Sequence, residues 1–384
     1  MKRFILIIDG HNFFFRTLYG IQHPKTTKVL QSNTSRKLYG EKLMSDFTFS
    51  MKKLQTCVNG VLFIEDSRSW RKGIDGDAIG YKSNRTEKQE QIDWTGFEEC
   101  TSHFRERLST HGVTFCRQEG AEADDLIFYW CARLTGSGKS AIIHSTDKDM
   151  LQLVRNYGDG GDVMLYDAVG RAMYVPSGYR DIIENAPKKT EGSIFTLSSG
   201  VNGGYDGILS YIKSNGIKIT EVDADRSLVT KVLCGDRSDN IPSVYSYVKN
   251  GRTFNLTEAK SAAVLERFTE RNGSPFIQDM LYSASSVRSL AECVVEVVKK
   301  EVDIETVVRN IERNTKYISL DRRSIPPDVF GDIAKKVNES TIGKLDVHGI
   351  INEGTREMTP SIFKSVKGDV DLSFITDRPK SLFE

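Results

Sequence analysis

Three short, predominantly apolar runs stand out along the chain: residues 4–8 (FILII), 61–64 (VLFI) and 141–145 (AIIHS). Each is too short for a helix, and each delivers carboxylates at its C-terminal end, as a strand buried on both faces of a parallel sheet would. Between them, residues 98–111 and 122–134 carry apolar side chains at helical spacing. Strands alternating with helices predict an α/β domain with a mostly parallel sheet. Residues 162–175 predict a hairpin turning near Gly170. A Gly/Ser-rich region without periodicity, from Ala186 to Asn215, reads as an insertion or a boundary. Beyond it the pattern turns helical, at 224–234, 257–269, 289–313 and 330–338. The expected division is an α/β unit over 1–186 and a helical unit over 187–384, the latter opening with an insertion at about 187–222.

Composition narrows the class without naming an activity. The 384 residues are 39% hydrophobic and 27% charged, enough for a sizeable core. A net charge of +1 announces no global basic field. Six scattered cysteines, with no CxxC, predict reduced thiols and a cytoplasmic protein. Asp9 interrupts the opening MKRFILIID before it could serve as a signal peptide, and no segment reaches transmembrane length.

The chemistry is carried by five acidic clusters: Asp9, then Glu65 and Asp66, then Glu122, Asp124 and Asp125, then Asp147 and Asp149, then Asp236 and Asp239. In an open parallel sheet, acids at the carboxyl ends of strands gather on one edge. Carboxylates are hard ligands suited to Mg²⁺ or Mn²⁺, and crowding them without a cation is costly. The clusters therefore predict a pocket for two divalent metals, of the sort that acts on phosphodiesters.

Each cluster also has a plainer reading. Acids at 122–125 cap a helix start, which explains one or two of them but not the acids at the other strand ends. Asp147 and Asp149 would point the same way if STDKD is extended, with Lys148 aimed elsewhere; a simple turn is the alternative. GDRSDNIPSV, with Gly235 and Pro242 shaping a turn after a helix, suits phosphate or metal binding or an ordinary helix–turn–helix. Arg68, Arg71, Lys72, Lys82 and Arg85 interleave with Trp70 and Tyr81, which fits single-stranded nucleic acid or a charged surface helix. GSGKS at 136–140 fails as a P-loop because Arg133 stands where a glycine is required. The six histidines show no metal-binding spacing.

In this order, IIDGHNFFFR, VLFIEDSRSWRK with YKSNR, EADDLI, STDKDMLQLV and GDRSDNIPSV resemble the 5′-nuclease (flap endonuclease) superfamily, most of all the T-even phage ribonuclease H branch. KYISLDRRSIPPDV, at 316–329, is similar to a late segment of the phage enzymes. The resemblance implies a PIN-like, mostly parallel sheet flanked by helices. It also implies a basic arch over about 67–100 and a C-terminal helical domain with a helix–turn–helix-type duplex-binding motif. It assigns Asp9, Glu122, Asp124 and Asp147 to a first metal site, and Asp149, Asp236 and Asp239 to a second. Lys82 and Arg71 would contact the scissile or adjacent phosphate, and Tyr81 would stack on a base. The family's acid ending the second strand falls on Glu65 by hydrophobic register and on Asp66 by residue type. The family's glycine-rich turn is replaced by PSVYSYVKNGRTFN.

The expected activity is 5′-to-3′ hydrolysis of RNA/DNA hybrids and 5′-ended or flapped DNA by a monomer using two Mg²⁺, with Mn²⁺ as a substitute. Its place would be RNA-primer removal during phage replication, in the cytoplasm of a bacterial host. The rival is a DNA-junction binding protein on the same scaffold that has lost turnover. Leu382 and Phe383 near the C-terminus offer docking to a sliding clamp or single-strand binding protein, against the alternative of a frayed end.

Overall fold

In the computed structural model, the described residues are 4–21, 29–54, 58–76, 78–85, 90–179, 216–273, 277–299 and 302–357. The Gly/Ser-rich region and the Leu382–Phe383 tail lie outside them. A seven-stranded sheet runs in the order β3-β2-β1-β4-β5-β6-β7. The three apolar runs become β1 (Phe4–Asp9), β2 (Val58–Glu65) and β4 (Ala141–His144). β1 pairs in parallel with both β2 and β4. β3 (Thr114–Arg117) adds to β2 in parallel. β5 (Val163–Asp167) and β6 (Ala172–Pro176) form the expected antiparallel hairpin. β7 (Lys218–Val222) closes the far edge, inside the stretch read as an insertion.

Strand alternation divides the first two cores. Phe4, Leu6 and Ile8 face a layer of α1 (Gly10–Tyr19), α2 (Asn33–Leu54) and α3 (Trp94–Thr110). Ile5 and Ile7 face α4 (Ala123–Gly136). A third core joins α5 (Ala224–Cys234), α6 (Glu258–Asn272), α7 (Ala284–Val298) and α8 (Ile304–Ile318).

The run at 289–313 is not one helix. Lys299 ends α7 in the left-handed region at φ 52°, and Asp303 caps α8 by accepting from the backbone N–H groups of Glu305 and Thr306. α9 (Pro327–Glu339) and α10 (Val347–Glu357) then return to the sheet layers, Ile333 packing with α4 and Ile350 with the α2 side. β8 (Ser246–Lys249) and β9 (Arg252–Asn255) form a separate two-stranded ribbon on the helical part. Among the described residues, no helix is long and apolar enough to cross a membrane.

Candidate active site

β1 is where strand order reverses, so a crevice opens beyond its end between β2 and β4. The chain leaves β1 through Gly10, whose position a side chain could not share: a Cβ there would lie 2.6 Å from the Ile64 carbonyl oxygen. Asp9 is thereby held at the bottom of the crevice, buried, accepting from Ser145 Oγ at 2.7 Å and from the Asn12 N–H at 3.2 Å. Asn12 Nδ2 donates to Thr146 Oγ1 at 2.9 Å, tying the start of α1 to the loop after β4. Burial, then the charges of Asp66 and Asp147, push the Asp9 carboxyl up to about 7, against the opposing bond from Ser145.

Asp124, in the first turn of α4, faces the same crevice. Burial raises its carboxyl well above the usual range, and Asp147, Asp9 and Glu122 add to the rise while Lys82 opposes it. Glu122 behaves in the opposite way. Burial alone would raise it, but Lys82 and Arg71 pull its carboxyl down to about 2. Its Oε1 accepts from Lys82 Nζ at 2.6 Å, and its Oε2 from Arg71 Nη1 at 2.8 Å and the Tyr81 hydroxyl at 3.1 Å.

The two candidates that end β2 part company. Glu65 is gripped by Arg105, with Nε at 2.7 Å from Oε1 and Nη2 at 3.0 Å from Oε2. That fork takes up the carboxylate on the β2–β3 side. Asp66 stays by the crevice, where its Oδ1 accepts from the Ala123 N–H at 2.6 Å and its charge acts on Asp9. Its own N–H donates to His11 Nδ1 at 3.0 Å. Histidine spacing does not mark His11 or Asn12; their signal in the sequence is IDGHN at a strand end.

Further along, Asp147 and Asp149 are not in an extended segment. Asp147 caps a 3₁₀ turn over Lys148–Leu153 and accepts the Asp149 N–H at 2.9 Å, so the two carboxylates diverge. Lys148 does point elsewhere, its Nζ 2.8 Å from both Asp167 Oδ2 and the Tyr174 hydroxyl. Asp149 meets Asp236 and Asp239, and one oxygen from each of the three lies within 4.8 Å of the others. The loop that brings the last two turns at Gly235, φ 74°, where a Cβ would meet the Ile241 carbonyl oxygen at 2.5 Å. Lys231, one turn before that loop, contacts Asp149 and places its Nζ 2.9 Å from Asp236 Oδ2. No sequence motif marks it.

Lys82 stands between the two groups of acids. Its N–H donates to the Asp239 carbonyl oxygen at 3.0 Å, Asn240 Nδ2 donates to the Ile79 carbonyl oxygen at 2.5 Å, and Asn84 Nδ2 to that of Arg237 at 3.0 Å. These bonds stitch residues 79–84 to the acid loop and set Lys82 Nζ 3.8 Å from Asp239 Oδ2. Burial would lower the ammonium, but Glu122, with Tyr81 and Asp239, raises it well above the ordinary lysine range.

Four expectations for this region fail, for one reason: the groups are consumed by packing. Arg71 is buried, with bonds to Glu122, to Asp125 (Nη2–Oδ1, 2.7 Å) and to the Tyr317 carbonyl oxygen at 3.0 Å, so it does not face a phosphate. Asp125, expected as a metal ligand, is that arginine's partner and also accepts from Trp70 Nε1 at 2.9 Å. Trp70 is therefore turned inward. Tyr81 is buried with its ring 5.4 Å from that of Tyr317, which leaves no open face for a base. Arg68 and Lys72 are exposed, as expected, and the Arg85 side chain lies outside the described ones.

A divalent cation fits these side chains. Asp9 and Asp124 are carboxylates raised by burial and then by neighbouring acids, Asp66 and Asp147 for the first, Asp147 and Asp9 for the second, and no hydrogen bond to the Asp124 carboxylate occurs among the described residues. The donors are hard oxygens, without the thiolate or imidazole set that zinc favours.

Residues 4–179 match the family model described as the 5′-3′ exonuclease N-terminal, resolvase-like domain. The chain is 27% identical over 150 residues to a 5′-3′ exonuclease of Aquifex aeolicus, 39% of this chain and 47% of that protein. It is 24% identical over 309 residues to a DNA polymerase I of Chloroflexus aurantiacus, 78% of this chain and 27% of the polymerase. The match thus spans about half of one relative (47%) and about a quarter of the other (27%). A solved T5 5′-exonuclease with bound divalent metal ions (zinc) shares the fold at TM-score 0.51 and 17% identity, over 88% of this chain and 99% of that one. Strand order, the acid-lined crevice and the match over 4–179 together support a place in the 5′-nuclease (flap endonuclease) superfamily for that part of the chain.

Proposed function

We propose that this chain is a divalent-metal-dependent 5′-to-3′ nuclease acting on RNA/DNA hybrids and on 5′-ended or flapped DNA, and that it removes RNA primers during phage DNA replication. The carrying observation is the pair of carboxylate groups, Asp9, Asp66, Asp124 and Asp147 on one side and Asp149, Asp236 and Asp239 on the other, with Lys82 between them. The first group would hold one Mg²⁺ and the second another. Bound there, the cations supply charge stabilisation and an activated water for phosphodiester hydrolysis.

The chain's own groups do the rest. Lys82, kept cationic by Glu122, stabilises negative charge gathering on the phosphoryl oxygens. Glu122 orients Lys82 and does not act as a ligand, because Lys82, Arg71 and Tyr81 occupy its oxygens. Exposed Arg68 and Lys72 meet the phosphates of the 5′ strand. We assign the nuclease unit to 1–186 and substrate-duplex binding to 187–384, with α9 and α10 returning to brace the first unit.

Incubation of a 5′-labelled flap and a 5′-labelled RNA/DNA hybrid with Mg²⁺ or with EDTA tests this. Short 5′ products in Mg²⁺ alone, from both substrates, are expected. Intact but gel-shifted substrate in Mg²⁺ would instead identify a junction-binding protein. Cleavage of the flap but not the hybrid would remove primer removal from the reading.

A further inference from the structure

We propose that Asn240 is a positioning residue: its side-chain amide clips residues 79–80 to the acid loop and thereby seats Lys82 at the crevice. This rests on the nuclease reading above, in which Lys82 stabilises the phosphoryl charge, and adds to it a residue that acts through that lysine.

Lys82 needs a seat from outside its own segment. Residues 78–82 lie in neither strand nor helix, so no ladder of backbone bonds fixes their course. Ile79 and Tyr81 pack into the third core, among the helices that follow Asp223. Lys82, the next residue, reaches the other way, its Nζ 2.6 Å from Glu122 Oε1 before α4. The ammonium tip is thus held by the sheet unit while its backbone is mounted on the helical part. That backbone is left-handed, at φ 57°. A lysine keeps such a conformation where its surroundings impose it.

Asp239 and Asn240 are the surroundings that do so. The Lys82 N–H donates to the Asp239 carbonyl oxygen at 3.0 Å. Asn240 Nδ2 donates to the carbonyl oxygens of Ile79 at 2.5 Å and Gly80 at 3.2 Å. Two adjacent residues of the acid loop therefore grip both ends of the turn that carries the lysine. Asn240 is itself left-handed, at φ 61°, a conformation that asparagine tolerates better than most side chains. Its turn is closed by two backbone bonds between Asp236 and Ile241, of 2.8 and 2.7 Å, which fix where the amide starts. Asn84 Nδ2 adds a second clip to the Arg237 carbonyl oxygen at 3.0 Å.

The same turn carries Asp239, one of the three carboxylates of the second acid group. One short loop thus sets the spacing between that group and the Lys82 ammonium, 3.8 Å from Asp239 Oδ2. Charge stabilisation depends on donors fixed in place before the reaction, so a loosened lysine forfeits much of its effect. A contact that only joined two loops would alter stability and leave the lysine-dependent part of the rate intact.

The test is single-turnover cleavage of a 5′-flapped duplex in Mg²⁺ by the full chain, beside hydrogen exchange at the Lys82 N–H in EDTA. Asn240→Gly keeps the left-handed turn and loses the amide. It is expected to slow the saturated rate about tenfold, while flap affinity, measured by anisotropy in EDTA, changes less than about twofold. Exchange at the Lys82 N–H should quicken about tenfold. Asn84→Ala should act in the same direction, and it carries the test if circular dichroism shows Asn240→Gly unfolded. Because Asn240 works through the lysine, Lys82→Ala/Asn240→Gly should cleave within about twofold of Lys82→Ala alone. A further drop of the single-variant size in that double variant would mean that Asn240 serves the second acid group directly, and would overturn the proposal. So would a folded Asn240→Gly with wild-type rate or wild-type exchange. A loss of flap affinity matching the loss of rate would make Asn240 a substrate contact and overturn it too. A wild-type chain that cleaves nothing in Mg²⁺ refutes the nuclease reading, and exchange at Lys82 still decides whether Asn240 seats it.

Discussion

Arg71 Nη2 lies 2.7 Å from Asp125 Oδ1, with both side chains shut off from solvent. The pair joins the residues after β2 to the first turn of α4, so it holds two walls of the crevice together. Breaking a buried ion pair strands its partner, at a cost of about 3–5 kcal/mol. Arg71→Ala and Asp125→Ala should each lower the unfolding free energy measured by urea denaturation by that order, and the two losses should not add in the double variant. A loss of cleavage with unchanged stability in Arg71→Ala would return the arginine to the phosphate.

Lys82 is held by Glu122, which Arg71 also contacts, but is not sealed in; 18% of its side chain is exposed. Lys82→Ala should lower cleavage of a flap substrate about 10²-fold or more, the order seen when one charge-stabilising group is removed. Its melting temperature should fall far less than that of Arg71→Ala. Single-turnover rates beside thermal melts decide this, and wild-type rates in Lys82→Ala would sink the assignment.

Asp9 ties stability to pH. Its carboxyl rises from 3.8 to about 7 on folding, so between those values the folded chain retains a proton that the unfolded chain has released. Stability therefore falls as pH rises through this window, by up to about 1.4 kcal/mol per pH unit for one group. His144 acts with the opposite sign: burial, then Arg16, push it from 6.5 down to about 3, so its contribution is lost as pH falls below about 6.5. That contribution is common to both proteins and cancels in a comparison. Asp9→Asn should thus gain stability relative to wild type as pH rises from 5 to 8 in EDTA. Mg²⁺ should shrink the difference by stabilising the wild type. A difference independent of pH would show that Asp9 is not raised.

Lys231 already supplies a positive charge to Asp149 and Asp236. A cation entering that group must compete with the ammonium. Lys231→Gln should tighten Mn²⁺ binding at the weaker of two sites roughly tenfold, consistent with a unit charge a few ångströms away in a partly screened setting. Calorimetric titration of the full chain checks it; weaker binding in the variant would mean that Lys231 organises the group rather than opposing metal.

Much of this was legible in the chain itself. Period-free apolar runs at 4–8, 61–64 and 141–145 can only be strands covered on both sides, and acids at their ends must then share one edge. That pattern set the central strands, the crevice and the meeting of Asp9 with Asp147, which Asp124 joins from the first turn of α4. α2 went unread because its polar and apolar positions form no clear helical face, and β7 because an edge strand needs little apolar content.

Tertiary structure alone decided which charges are free to act. Glu65 and Asp66, Arg71 and Lys82, and Asp125 and Asp124 each carry the same charge, and the sequence did not separate them. What separates them is a partner distant in sequence: Arg105 takes Glu65, and Asp125 takes Arg71. Local pattern sets where a carboxylate begins its path. Only the packed neighbours determine whether its oxygens are already occupied, because a buried charge is stable only when paired.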